Sequence, residues 1–258
     1  MSAPAAYHPT ELLACVAARL LEPGRSVFVG TGLPMIAAML AQRTHAPGLL
    51  IIFEAGGIGP QVPVLPISVG DSRTFHRAVA ASSMHDVMSI SQAGYLDFGF
   101  LGAAQIDRFG NINTTVIGDY EHPEVRLPGS GGANDVGSFC HRTIVVMRQD
   151  ARKFVERLDF ITTPGYLDGP GAREAAGLPA RSGPYRVITQ LGVYGFDEAA
   201  RTLRLLAVHP GGGIDPVRAA SGFAIPAAEP LGVTDPPTDD DRRILREIDP
   251  QGLVIPRA

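Results

Sequence analysis

Tryptophan is absent, lysine occurs once, at Lys153, and cysteine only twice, at Cys15 and Cys140. Two widely separated cysteines cannot form a disulfide framework, and no Cys/His spacing matches a metal site. Two buried thiols in a reducing compartment are the expected state. No run of about 18 apolar residues marks a membrane span. No basic segment followed by an apolar core opens the sequence as a secretory leader would. The expected location is therefore the cytoplasm. No basic block is present and the net charge is −4, which argues against nucleic acid and anionic membrane as partners. A Gly-x-Ser-x-Gly elbow is missing, and His76, His85, His122, His141 and His209 show neither ligand spacing nor a triad. Serine-hydrolase chemistry and a metal centre both lack support.

What is present is apolar and rich in glycine. The 258 residues are 45% hydrophobic with a mean hydropathy of +0.11, enough for a sizeable core. That value is slightly apolar for a soluble monomer and points to a subunit with a large interface. The length fits one large α/β domain or two small ones. No internal repeat appears, and the Pro-rich stretch from Pro226 to Pro237 is too short to separate domains. A single domain over residues 1–258 is expected.

The pattern predicts a helix from Thr10 to Leu21, with Thr10 as N-cap and Pro23-Gly24 as its stop. A strand follows over Ser26 to Val29, then the tight loop Gly30-Thr31-Gly32. Pro34 suits the first turn of a second helix. The apolar run Leu49 to Phe53 reads as a buried strand that ends on Glu54 and a glycine pair. A right-handed crossover lays the two strands parallel and adjacent, so the Gly30 loop and Glu54 meet at one sheet edge. In α/β proteins ligands gather at the carboxyl ends of strands. A carboxylate there is poorly hydrated and free to act as a nucleophile. The bland alternative is a Glu that caps a turn through backbone N–H groups.

Farther on, Asp71 to Met88 reads as a short helix and a loop. Two strand-like runs around Gly110 read as a hairpin, with Gly110 at positive φ. Thr143 to Met147, Tyr185 to Leu191 and Leu203 to Val208 read as strands. Thr163-Pro164-Gly165 and Asp168-Gly169-Pro170-Gly171 read as surface turns. Pro226 to Pro237 reads as a connector, and Asp239 to Glu247 as a helix. Gly131-Gly132 leaves backbone N–H groups unshielded by side chains, and such groups can face a developing oxyanion. The bland alternative is a flexible surface loop. Gly30-Thr31-Gly32 can cradle an anion at a helix N-terminus. It is neither a P-loop nor a dinucleotide fingerprint, because the Lys-Ser/Thr pair and the third glycine are missing.

Taken in order, several segments resemble the β subunits of family I CoA-transferases, most closely the glutaconate type. They are Val29-Gly30-Thr31-Gly32-Leu33-Pro34, the strand ending in Glu54, Gly102-Ala103-Ala104-Gln105-Ile106-Asp107 and Gly110-Asn111-Ile112-Asn113. The likeness continues through Ile117-Gly118-Asp119-Tyr120, Gly129-Ser130-Gly131-Gly132-Ala133-Asn134, Thr163 to Gly171 and Glu247-Ile248-Asp249-Pro250. It implies an α/β fold with an open, mostly parallel sheet flanked by helices, of the sugar-phosphate-isomerase/CoA-transferase type. It implies Glu54 as the catalytic residue, Gly131, Gly132 and Ala133 as the oxyanion and acyl-binding loop, and Gly30, Thr31 and Gly32 beside the substrate. It also implies an obligate A subunit in an A2B2 assembly. Coenzyme A would be a substrate, exchanged between an acyl-CoA and a carboxylic acid, with no tightly bound cofactor. The implied reaction is ping-pong, through a glutamyl-CoA thioester on Glu54.

Two other readings compete. Relatives of this fold hydrolyse CoA thioesters, open steroid-derived rings or decarboxylate acyl-CoA; such a chain is expected to lose the glutamate, which stands here. Ligand-sensing domains also share the fold. They normally carry a DNA-binding segment with a basic face, and none is present.

Overall fold

The apolar run before Glu54 is buried as expected, with Ile51, Ile52 and Phe53 each 2% exposed or less. Full burial of such side chains contributes about 1.5–3 kcal/mol each, which fixes this strand in the core. The structure, a computed structural model, describes residues 7–256. The elements begin with α1 (Pro9–Ala18), β1 (Ser26–Val29), α2 (Leu33–Arg43), β2 (Leu50–Phe53), β3 (Gly57–Ile58) and β4 (Ala80–Ala81). Next come α3 (Met84–Gln92), β5 (Phe98–Leu101), β6 (Gln105–Ile106), β7 (Ile112–Asn113), β8 (Val116–Gly118) and β9 (Pro123–Arg126). The remainder is α4 (Ala133–Phe139), β10 (Arg142–Val146), α5 (Ala172–Ala175), β11 (Pro184–Ile188), β12 (Gly192–Phe196), β13 (Leu203–Val208), α6 (Ile214–Ala219), β14 (Ala227–Val233) and α7 (Asp239–Ile248). The architecture is α/β, an open and mostly parallel sheet flanked by helices.

The chain forms two compact units. The first runs to Phe100 and resumes at Asp235; the second covers Leu101–Thr234. In the first, strand order is β5-β1-β2-β3-β4. β1 pairs parallel with both β2 and β5, and the two-residue β3 and β4 add antiparallel at the edge. α2 packs on α1, α7 and β1. Its run Met35 to Ala41 is at most 1% exposed, and its alanines let the neighbouring helix approach closely. The N-cap of α1 is His8, not Thr10. The His8 ring accepts from Thr10 N–H at 3.1 Å, and Glu11 accepts the His8 N–H at 2.7 Å.

In the second unit the order is β14-β13-β12-β11-β10, with β12 antiparallel to both neighbours. The expected connector from Pro226 to Pro237 instead contains β14, which pairs parallel with β13. As a strand with only one partner, β14 tolerates Pro230 without losing a ladder donor that its neighbour needs. The expected hairpin forms as β6–β7, with Gly110 at φ +73°. The run ahead of it belongs elsewhere, as β5 beside β1. Thr163-Pro164-Gly165 is not a surface turn: Thr163 is 1% exposed, and a Cβ on Gly165 would lie 2.3 Å from the Gly110 carbonyl carbon.

Candidate active site

Glu54 stands one residue beyond β2, in a turn closed by Gly56 N–H donating to Phe53 O at 2.9 Å. The backbone closes this turn, so the carboxylate is not needed as a cap. Among the described residues no hydrogen bond or ion pair holds it. Glu54 is half-buried while Phe53 before it is fully buried. Two glycines fix the turn from behind. Gly56 has φ +114°, and a Cβ there would sit 2.0 Å from Ser82 O. A Cβ on Gly57 would sit 2.1 Å from Thr74 O. Thr74 in turn belongs to a short 3-10 helix, Ser72–Phe75, opened by Asp71. The Arg73 guanidinium holds the Asp71 carboxyl well below the usual carboxylate range.

The β1–β2 register sets Val29 opposite Phe53. Gly30-Thr31-Gly32 and Glu54 therefore leave adjacent strands at the same carboxyl edge, as the crossover argument expects. Gly32 has φ +79° and is the N-cap of α2, without a side-chain cap. That helix end keeps unpaired N–H groups and a partial positive charge. A bare carboxylate beside an uncapped helix N-terminus can hold an anionic substrate and attack a carbonyl.

Gly131, Gly132 and Ala133 lie in the second unit, at the start of α4. The Ala133 N–H donates to Ser130 O at 2.9 Å, closing a turn. The Gly131 and Gly132 N–H groups remain as donors that side chains do not cover. Gly129 is anchored from both sides: its N–H donates to Thr114 O at 2.8 Å, and its carbonyl accepts from Thr114 Oγ1 at 2.9 Å.

Sequence reasoning missed the network around Asn111. Asn111 Oδ1 accepts from the N–H groups of Gly165 at 2.8 Å and Leu167 at 3.0 Å. Its Nδ2 donates to Asp107 at 2.7 Å and to Leu167 O at 2.9 Å. Burial raises the Asp107 carboxyl, against the pull of the Asn111 bonds. This ties the β6–β7 hairpin to the Thr163–Gly171 segment. The signal was available: an Asp-x-x-Gly-Asn turn invites such side-chain-to-backbone bonds. Neither cysteine competes as a nucleophile. Both are buried thiols outside any disulfide, and burial pushes Cys15 up to about 12.

No helix among the described residues is long and apolar enough to cross a membrane, and no His/Cys/Asp/Glu group there could hold a metal. Comparison with known proteins then fits this geometry. The model of the coenzyme A transferase family matches residues 10–220. The B subunit of the 3-oxoadipate CoA-transferase of Pseudomonas knackmussii is 40% identical, over 95% of this chain and 94% of its own. The B subunit of the glutaconate CoA-transferase of Acidaminococcus fermentans is 36% identical, over 96% of this chain and 95% of its own. The crystal structure of that glutaconate enzyme superposes with a TM-score of 0.93, covering 98% of this chain and 99% of the other. The decarboxylase AibA/AibB superposes at 0.83 with 28% identity, covering 97% and 100%. On the family match, and on two CoA-transferase subunits similar over nearly its whole length, the chain belongs to the coenzyme A transferase family.

Proposed function

We propose that this chain is the B subunit of a CoA-transferase that moves CoA between an acyl-CoA and a small carboxylic acid, through a glutamyl-CoA thioester on Glu54. The observation that carries this is Glu54 itself. It is a carboxylate without an internal partner among the described residues, on a turn that two glycines hold rigid, beside the uncapped start of α2.

The steps balance without any other reagent. The Glu54 carboxylate attacks the thioester carbonyl and the CoA thiolate leaves, giving an acyl-glutamyl anhydride. The thiolate attacks the glutamyl carbonyl and the acyl group departs as a carboxylate. A second carboxylate then takes CoA by the reverse steps. Water must be kept out, or both intermediates hydrolyse. Binding energy from the remote parts of CoA serves to reach the transition state. Gly131 and Gly132 are proposed to supply oxyanion donors, with Ala133 shaping the acyl-binding loop; the family likeness of that segment supports this. Gly30, Thr31 and Gly32 are proposed as the loop beside the substrate.

Two of the relatives are named for dicarboxylic acids, 3-oxoadipate and glutaconate, so a small dicarboxylate is the proposed acyl class. Both are B subunits, which supports an A-subunit partner in an A2B2 assembly, acting in the cytoplasm as one functional domain over residues 1–258.

Initial rates with acyl-CoA and acid both varied should give parallel double-reciprocal lines. Glu54→Ala should lower transfer at least about 10³-fold, as loss of a covalent nucleophile does, without lowering the melting temperature. Intersecting lines, or near-normal transfer by Glu54→Ala, would remove the covalent route.

A further inference from the structure

The turn that carries Glu54 is pressed from two sides, and both pressing groups lie in a stretch that the core hardly holds. Gly56 and Gly57 are buried. Ser82 O is 2.0 Å from the position of a Cβ on Gly56, and Thr74 O is 2.1 Å from that of a Cβ on Gly57. The Ser82 N–H also donates to Gly56 O at 2.9 Å. Yet of residues 61–83 only Val62, Leu65, Pro66 and Thr74 are buried. A segment with so little buried apolar surface is held in place by its hydrogen bonds.

Two carboxylates gather those bonds. On the Gly57 side stands Asp71. Its Oδ1 accepts from the Arg73 N–H at 2.9 Å and from Arg73 Nε at 3.0 Å. Its Oδ2 accepts from the Ile67 N–H at 3.1 Å and from Arg73 Nη2. Arg73 Nη1 reaches on to Leu65 O at 3.1 Å. The Leu65 N–H in turn donates to the carbonyl of Ile248, the last residue of α7, at 2.7 Å. Asp71 O accepts from the Thr74 N–H at 2.9 Å and from Thr74 Oγ1 at 2.7 Å. The carbonyl that presses Gly57 is thereby tied to α7 through one ion pair.

On the Gly56 side stands Asp86, in the first turn of α3. Its Oδ2 alone accepts from Ser82 Oγ at 2.9 Å, Ser83 Oγ at 2.8 Å and the Ser83 N–H at 3.2 Å. These bonds fold Ser82 back onto α3, which is anchored by the fully buried Val87. As caps alone, the two carboxylates would serve a four-residue 3-10 helix and one exposed helix end. What they also hold are the two carbonyls that bracket the turn of Glu54.

We infer that Asp71, paired with Arg73, and Asp86 are positioning residues for the Glu54 carboxylate. The inference rests on the reading of Glu54 as the nucleophile. Each acts through a backbone carbonyl on one glycine of the turn, not through contact with substrate. A nucleophile displaced by about 1 Å loses up to about 10²-fold in rate. A loosened clamp therefore lowers turnover and leaves substrate binding intact.

The test uses the chain co-purified with its A subunit, with glutaconyl-CoA as donor and 3-oxoadipate as acceptor, the acids for which two relatives are named. Asp71→Ala and Asp86→Ala should each lower kcat about ten- to a hundredfold, with KM for both substrates within about threefold of wild type. Asp86 is exposed and Asp71 half-buried, so the melting temperature should fall by no more than about 5 °C. The conservative variants should divide. An asparagine keeps one carbonyl oxygen, which suffices for the bonds that Asp86 Oδ2 makes, so Asp86→Asn should recover kcat to within about threefold of wild type. Asp71 uses both oxygens. Asp71→Asn turns an amide donor toward the Ile67 N–H or the guanidinium and should be as slow as Asp71→Ala.

A purely structural role would lower the melting temperature and spare kcat, so normal kcat in both alanine variants would overturn the inference. A raised KM with unchanged kcat would overturn it as well. Glu54→Ala, run alongside, separates the two claims. If it is inactive while Asp71→Ala and Asp86→Ala run at full speed, positioning alone is overturned. Transfer by Glu54→Ala would remove the nucleophile reading, and this inference with it.

Discussion

At Gly56 the backbone has φ +114°, and Ser82 O occupies the place a side chain would take, 2.0 Å from the Cβ position. Both the conformation and the space require glycine, and the geometry of Glu54 two residues earlier depends on it. Gly56→Ala should therefore cost about 3 kcal/mol or more in equilibrium urea unfolding and should also lower transfer. A variant as stable as wild type would show that the turn does not hold Glu54 rigidly. Position matters as much as identity at Glu54: a nucleophile displaced by about 1 Å loses its attack geometry. The turn itself was legible in the sequence, because Gly56-Gly57 closely follows an apolar run that ends on Glu54, but the segment alone equally allowed a Glu that caps the turn.

His209 joins three pieces of the second unit at the scale of elements. Its Nδ1 meets Thr234 Oγ1 at 2.8 Å and its Nε2 meets Thr189 O at 2.7 Å. A carbonyl can only accept, so Nε2 carries the proton and Nδ1 accepts from the threonine. Burial lowers the His209 pKa. A depressed histidine favours the folded state above the unfolded pKa of about 6.5 and loses that stability as pH falls through the folded value. Unfolding free energy should drop as pH falls below about 6.5, and His209→Gln should start less stable and drop less. Equal slopes would contradict the assignment. Helices and strands with long periodic patterns were readable: β1 and β13 match their expected bounds, and α7 differs by one residue. What escaped was set by tertiary contact. β14 is a proline-containing strand stabilised by pairing with β13. The two-residue strands β3 and β4 carry no period at all. α4 follows consecutive glycines that read as loop, and its own Gly137 is present because a Cβ there would meet Thr163 Cγ2 at 2.2 Å. Arg173, buried with its guanidinium donating to the carbonyls of Pro164, Gly165, Gly137 and Ser138, was equally hidden, since no local pattern tells a cation held by carbonyls from one in solvent.

For the molecule as a whole, the first compact unit is discontinuous, closing with the chain from Asp235 onward. The junction at Thr234–Asp235 falls inside the Pro-rich stretch Pro226 to Pro237, which reads as too short to separate domains, and the junction at Phe100–Leu101 has no linker composition, so the division was not read from sequence. Within the first unit, sequence alone brought Glu54 and the Gly30 loop together through the parallel register of β1 and β2. The Gly131 loop owes its assignment to family likeness. Co-expression with an A subunit should yield a complex whose mass by light scattering matches two copies of each protein; failure of the two ever to co-purify would contradict the subunit reading. The central claim is the covalent intermediate on Glu54. The most direct measurement is the intact mass of the chain, co-purified with its partner, after mixing with a dicarboxylic acyl-CoA and rapid quenching. The account predicts a CoA-sized adduct on the peptide containing Glu54, lost on adding free acid and absent in Glu54→Ala. Consumption of the acyl-CoA with no adduct on that peptide would contradict it and would move the reaction to hydrolysis or decarboxylation.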